Sequence, residues 1–295
     1  MAQRHSERSS PPTAQFVAPP APIVAVSSGM GAIQFVAVNF GVPAPQALTR
    51  QLRFDDERTR SAALSAIGAP GQYLQHGHVP MPRAIDLQLA AIGTTDEMDA
   101  LLTVELDQHL VTAVLVPVDG NWKRIATLIY AVPFEEGTAS PTAWIRTERS
   151  LVQKDRYRAV FRATTGAPNG SFTENEAQLR IFGGKAVVTM SFESAERECS
   201  LPPTPAPTKA AAKANAQKYG CDVTERWFQV MPGDLRHYEL VTGSGHITVR
   251  EAEDPLEHTQ PMMLSHLRNF SCQPFAYSEA SQHFEPTAAD GPCRK

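Results

Sequence analysis

No cysteine occurs before Cys199, and none of the four in the chain, Cys199, Cys221, Cys272 and Cys293, belongs to a C-x-x-C pair. Zinc sites usually take their thiolates in such close pairs, so this spacing speaks against a zinc-binding module. Charge is absent from Ser9 to Thr49, although charged residues make up 20% of the chain. The formal charge of −4 leaves no basic excess to draw a phosphate backbone, and nucleic acid is not expected as a partner. Long apolar runs are lacking too. Ile23 to Val42 comes closest, but Ser27, Ser28, Gly29, Gly31, Gln34 and Asn39 make it too polar for a membrane-spanning helix. No catalytic motif or cofactor fingerprint is present, and no cofactor is expected.

What is present begins with an even number of cysteines at wide intervals, which suits a disulfide framework. Of the three possible connectivities, Cys199 with Cys221 and Cys272 with Cys293 each close a loop of about 20 residues, contributing roughly 3 kcal/mol at most. Such bonds persist in oxidising compartments, which points to a secreted or periplasmic protein. Buried, reduced thiols acting as small apolar residues are the plainer alternative. The 295 residues are 42% hydrophobic, enough for a sizeable core.

Residues 1–44 read as a disordered or leader-like segment. Pro11-Pro12 and Pro19-Pro20-Ala21-Pro22 favour extended, unpacked chain. Arg4 and Arg8, the apolar Met30 to Val42 and the small residues Val42-Pro43-Ala44 have the parts of a secretory leader. The broken apolar core and the following Pro45 fit that pattern poorly. The competing reading makes Ile23 to Val26 and Ala32 to Phe40 strands joined by a Ser/Gly turn.

Residues 45–200 read as a helical pair followed by an antiparallel β region. Helices are expected over Pro45 to Arg53 and Asp56 to Ile67, with Asp55 as a cap between them and Gly68 as the stop. Alternation then predicts strands from Ile85 onward, with Asp119-Gly120-Asn121 and Gly183-Gly184 as hairpin turns. Around Tyr157, alternation sends Tyr157, Ala159 and Phe161 to one face and Arg156, Arg158, Val160 and Arg162 largely to the other, the charged outer side expected of a half-exposed sheet. Residues 201–217 form a Pro/Ala-rich excursion. Residues 218–295 read as a C-terminal α+β part. Its strands are expected at Asp222 to Val230, Arg236 to Thr242 and His246 to Glu251, with a turn at Gly243-Ser244-Gly245. A helix is expected over Leu256 to Leu267, and an irregular tail follows Cys272.

Two stretches resemble known repeats. Leu52 to Leu64 is similar to a single HEAT-type helical unit, with no second copy to stack on it. In residues 85–130, Gly93-Thr94-Thr95-Asp96-Glu97-Met98-Asp99-Ala100-Leu101-Leu102 is followed by Asp119-Gly120-Asn121-Trp122. This stretch resembles a degenerate FG-GAP/VCBS-type β repeat, covering about a sixth of the chain. The resemblance implies an acidic turn leading into an apolar strand, a turn that often holds calcium in that family. Here Thr94 and Thr95 leave only Asp96, Glu97 and Asp99 as oxygen ligands. No family is recognised over the whole chain.

The candidate metal ligands are His76 and His78, two imidazoles that need a further partner such as His109, His237 or His246. Met262, Met263, His258 and His266 have the ligand types copper accepts, though methionines at helical spacing are ordinarily core. Thr242-Gly243-Ser244-Gly245-His246 brings serine and histidine together without matching a nucleophile elbow. Asp55-Asp56-Glu57, Glu135-Glu136 and Glu251 to Asp254 read as capping or solvated acids. Trp122, Trp144 and Trp227 fall in expected strands, where two of them would make an aromatic platform if exposed together.

The sequence therefore predicts a β-rich α+β fold with antiparallel sheets, a short N-terminal helical pair and a disulfide-stapled C-terminal part. Functionally it points to an extracytoplasmic, non-catalytic binding or cell-envelope-associated protein, with an envelope component or another protein as partner. The rival is a hydrolase or metal-dependent enzyme whose site gathers His76, His78, His237, His246 and Asp99 from separate segments.

Overall fold

The structure is a computed structural model. It describes residues 24–25, 34–35, 40–75, 77, 79–93, 96–107, 109–131, 142–153, 155–166, 171–200, 210, 219–231, 234–248 and 266–293. After three short strands, β1 (Val24–Ala25), β2 (Gln34–Phe35) and β3 (Phe40–Val42), come helices α1 (Pro45–Leu52) and α2 (Glu57–Ile67) and a 3-10 turn, Gly71–Tyr73. Strands β4 (Ala84–Ala90), β5 (Asp99–Glu105), β6 (His109–Val118) and β7 (Asn121–Ala131) complete a seven-stranded sheet. Its order is β1-β2-β7-β6-β5-β4, with β3 also paired to β7, and every pairing is antiparallel.

The second sheet has nine strands. They are β8 (Thr142–Arg149), β9 (Tyr157–Gly166), β10 (Phe172–Phe182), β11 (Lys185–Ser200), β12 (Gly220–Met231), β13 (Asp234–Thr248), β14 (Leu267–Ser278), β15 (His283–Pro286) and β16 (Gly291–Pro292). Its order follows the chain from β8 to β15, with β16 on β14, and β11 pairs directly with β12 across the 201–217 excursion. Among the described residues the two α-helices are confined to the N-terminal part, so the fold is mostly β rather than α+β. The expected helix over Leu256 to Leu267 lies outside the described residues except at its end, where Leu267 opens β14.

Local chemistry accounts for the helices. Pro45 stands at the first turn of α1, where its missing N–H costs nothing. In α2 the cap is Asp56, one residue later than expected, and its carboxylate accepts from the Thr59 N–H at 2.8 Å. Gly68 ends α2 in the left-handed conformation, φ 80°. Leu48, Leu52, Leu64 and Ile67 are fully buried against Leu102, Val104, Val111 and Leu115 of the first sheet. Each such side chain contributes about 1.5–3 kcal/mol by leaving water.

Two polar ties fix the angle of α2. Arg124 Nη1 donates to the Ser65 and Ala66 carbonyls at 3.0 and 2.7 Å, and Thr127 Oγ1 donates to the Ile67 carbonyl at 2.8 Å. A guanidinium at a helix C-terminus satisfies orphan carbonyls and complements the dipole. Burial still pushes the Arg124 pKa down to about 10.

The other face of the first sheet packs on the second, with Leu101, Val114 and Leu128 meeting Phe161, Leu179 and Ile181. Because both faces of β5 and β6 are covered, these strands read as continuous apolar runs rather than alternating ones. At one seam the two sheet edges are joined by the Gln88 carboxamide. It donates to the Ile145 carbonyl at 2.6 Å and accepts from the Thr147 N–H at 2.9 Å, standing in for a peptide unit along β8.

Two expectations for the C-terminal part are corrected. Gly243-Ser244-Gly245 is not a turn but the middle of β13. A Cβ on Gly245 would meet the His266 carbonyl oxygen at 2.2 Å, and one on Gly243 would meet Leu267 Cδ1 at 2.7 Å. The glycines admit the close passage of β14. The region around Cys272 is likewise strand rather than irregular tail, with β14 pairing to β13, β15 and β16.

Candidate functional site

The second sheet curls: β15, at one end of the hydrogen-bonded order, lies against β11 in its middle. The curl collects Met190, Phe228, Tyr238, Leu240, Phe275 and Phe284 into one buried aromatic cluster. Phe284 makes edge contacts with Phe228, Tyr238 and Tyr277 at centroid distances of 4.6, 5.1 and 5.2 Å. Leu151 and Val152, from the turn between β8 and β9, pack on the same cluster.

The face that holds this cluster continues across β8 to β11 as a polar ladder. Arg146 pairs with Glu148 at 3.2 Å, and Arg158 reaches Glu148 at 3.1 Å and the Gln178 amide oxygen at 2.8 Å. Arg162 pairs with Glu176 at 2.7 Å and lies 3.8 Å from Glu174, while Arg226 pairs with Glu193 at 2.6 Å. Ser194 Oγ donates to Glu174 at 2.7 Å. The solvated outer face expected around Tyr157 is thus corrected: Val160 is fully buried, and Arg158, Glu176 and Gln178 are buried with it. Curling turns part of the presumed outer face into an inner one.

Arg180 occupies the next rung of β10 and is only 2% exposed. Its Nη2 donates to the Gln153 amide oxygen, and its guanidinium carbon stands 4.7 Å from the centre of the Phe182 ring. Its Nε and Nη1 are buried without an acceptor, and the nearby Tyr277 hydroxyl is buried without a well-formed hydrogen bond. Burial depresses the Arg180 pKa, an effect opposed by Tyr277 and by the Glu279 carboxylate. Burial also raises the pKa of Tyr277, with Arg180 pulling the other way. Among the described ion pairs of this ladder, each of the other arginines has a carboxylate at contact distance; Arg180 has an amide.

The residues named from sequence do not gather here. His76 and His78 lie outside the described residues, as do His258, Met262 and Met263. Asp99 is buried at the start of β5, where one carboxylate oxygen accepts from the Ile92 and Gly93 N–H groups at 3.0 and 2.7 Å. Desolvation raises its pKa against those bonds. Asp96 of the same acidic turn is engaged by Arg156 at 2.7 Å. His246 is in the other sheet, 2.9 Å from exposed Asp222 on the paired strand. His237 is exposed on β13, and His109 bonds the Tyr73 hydroxyl at 2.8 Å, with burial lowering its pKa. Among the described residues no three His, Cys, Asp or Glu side chains are grouped to hold a metal ion. Trp122 packs beneath the helices and Trp227 edges Phe270 at 6.5 Å, so these two belong to different sheets and make no common platform.

The cysteines do come together. Cys199 bonds Cys221 directly across β11 and β12, and Cys272 on β14 bonds Cys293 just beyond β16. The buried Arg197 guanidinium donates to Cys199 Sγ at 3.4 Å. Among the described residues no helix is long and apolar enough to cross a membrane.

No protein-family model, curated protein or solved structure matches the chain.

Arg180, Gln153 and Tyr277 escaped the sequence reading. Their local signal is a polar residue at an alternating strand position, which is also the signature of a solvated sheet face. Only the curl distinguishes the two.

Proposed function

We propose that this chain is a non-catalytic binding protein that works outside the reducing cytoplasm, as a secreted, periplasmic or envelope-associated component. The pairing of all four cysteines into two disulfides carries the reading, because such bonds persist where thiols are not kept reduced. Both clamp the same sheet, one across β11 and β12 and the other between β14 and the end of the described chain. Binding is favoured over catalysis by the placement of the titratable groups. Asp99 is committed to two backbone N–H groups, and His246 to a surface carboxylate, so neither meets the other's chemistry.

Fractionation of cells that make the protein tests the reading, with thiols trapped at the moment of lysis. The protein should appear in the extracytoplasmic fraction with no trappable thiol. Recovery from the cytoplasmic fraction with four alkylated cysteines would overturn it.

A further inference from the structure

We propose that Arg180, with Gln153 and Tyr277, forms a binding site for the oxyanion group of a small ligand, a carboxylate or a phosphate. The Nε and Nη2 hydrogens lie along one edge of a guanidinium and match the two oxygens of an oxyanion. In the structure one tooth of that fork is used by the neutral Gln153 oxygen and the other, Nε, is bare. Gln153 is only half-buried, so the group that covers Arg180 is itself reachable from solvent. An incoming oxyanion takes the place of the Gln153 oxygen at Nη2 and engages Nε at the same time. The Tyr277 hydroxyl, buried beside the guanidinium and without a well-formed hydrogen bond, supplies a further donor.

Two features make the exchange favourable. Charge-assisted hydrogen bonds are roughly twice as strong as neutral ones. A buried guanidinium without a carboxylate in contact is also costly, so an anion that pairs with it relieves a desolvation penalty already present in the free protein. The other arginines of the ladder each hold a carboxylate; Arg158 also has a buried, unpaired Nε, but its charge is already met by Glu148. Glu279 is exposed and acts on Arg180 only through space, so it moderates the site without filling it.

The inference deepens the binding reading by naming the ligand chemistry at one site, and the two fail separately: the fractionation result does not depend on Arg180. Thermal unfolding of the full chain is followed while sodium phosphate or sodium acetate replaces sodium chloride at constant ionic strength and pH. At least one of the two should raise Tm saturably by about 3 °C, and the more effective anion identifies the ligand group. R180M should abolish the response. Q153E, which supplies an internal carboxylate to the same fork, should raise Tm by about 2 °C without added anion and lose the response as well. The proposal is overturned if neither anion exceeds chloride, or if the response survives in R180M or in Q153E. Q153E keeps the test decisive should R180M fail to fold.

Discussion

Asp99 shows how a buried acid can serve the backbone rather than chemistry. Its side chain closes the bend between Ala90 and β5 by accepting two N–H groups, that of Gly93 and that of Ile92, which it shares with the Ala90 carbonyl. An unpaired buried donor costs about 1–3 kcal/mol, so D99A should lower unfolding stability by an amount in that range. Asn can still accept through its amide oxygen, and D99N should lose less. Because burial holds the folded-state pKa of Asp99 above its unfolded value, its contribution is greatest at low pH and declines as pH rises. The stability of D99N relative to the parent should therefore improve between about pH 3 and about pH 6. Denaturant titrations of the three proteins across that range measure the effect. A D99N deficit that grows with pH would mean that the ionised form is the one the fold stabilises.

At the level of elements, turns were legible and close passages were not. Asp119-Gly120 and Gly183-Gly184 are two-residue turns with all four φ angles positive, from 51° to 76°, the geometry those residue types prefer. Gly243-Ser244-Gly245 carries the same local signal, yet it lies in β13, because glycine serves equally for a positive φ and for the approach of a neighbouring backbone. G245A separates the two uses. A methyl group there would press on the His266 carbonyl, and the variant should lose about 1–3 kcal/mol. G291A, with nothing within 4 Å of its Cβ, should stay within about 0.5 kcal/mol of the parent. Equal stability of G245A and the parent in urea titrations would show that β14 does not pass so near.

Across the whole molecule, the parts readable in advance were those set by nearest neighbours in the chain. These include the helical pair with its Gly68 stop, the strand succession from β4 to β11 and the two hairpins. Features created by distant segments were hidden. Gln88 bridges to β8 only because the two sheet edges meet, and Arg158 with Gln178 is buried only because the second sheet curls. Alternation in β9 and β10 gave the faces correctly but could not say which face the curl would cover. The cysteines were an exception, since loop length alone already favoured the pairs nearest in sequence.

That pairing links the proposed compartment, the second sheet and the proposed ligand site. Cys199–Cys221 locks β11 to β12 beside the polar ladder, and Cys272–Cys293 anchors the strand that carries Tyr277. Alkylating the unfolded, unreduced protein and mapping its peptides by mass tests this most directly. The expected result is no alkylated cysteine and two linked peptide pairs, Cys199 with Cys221 and Cys272 with Cys293. Alkylation of all four cysteines, or a link from either residue of the first pair to one of the second, would contradict it.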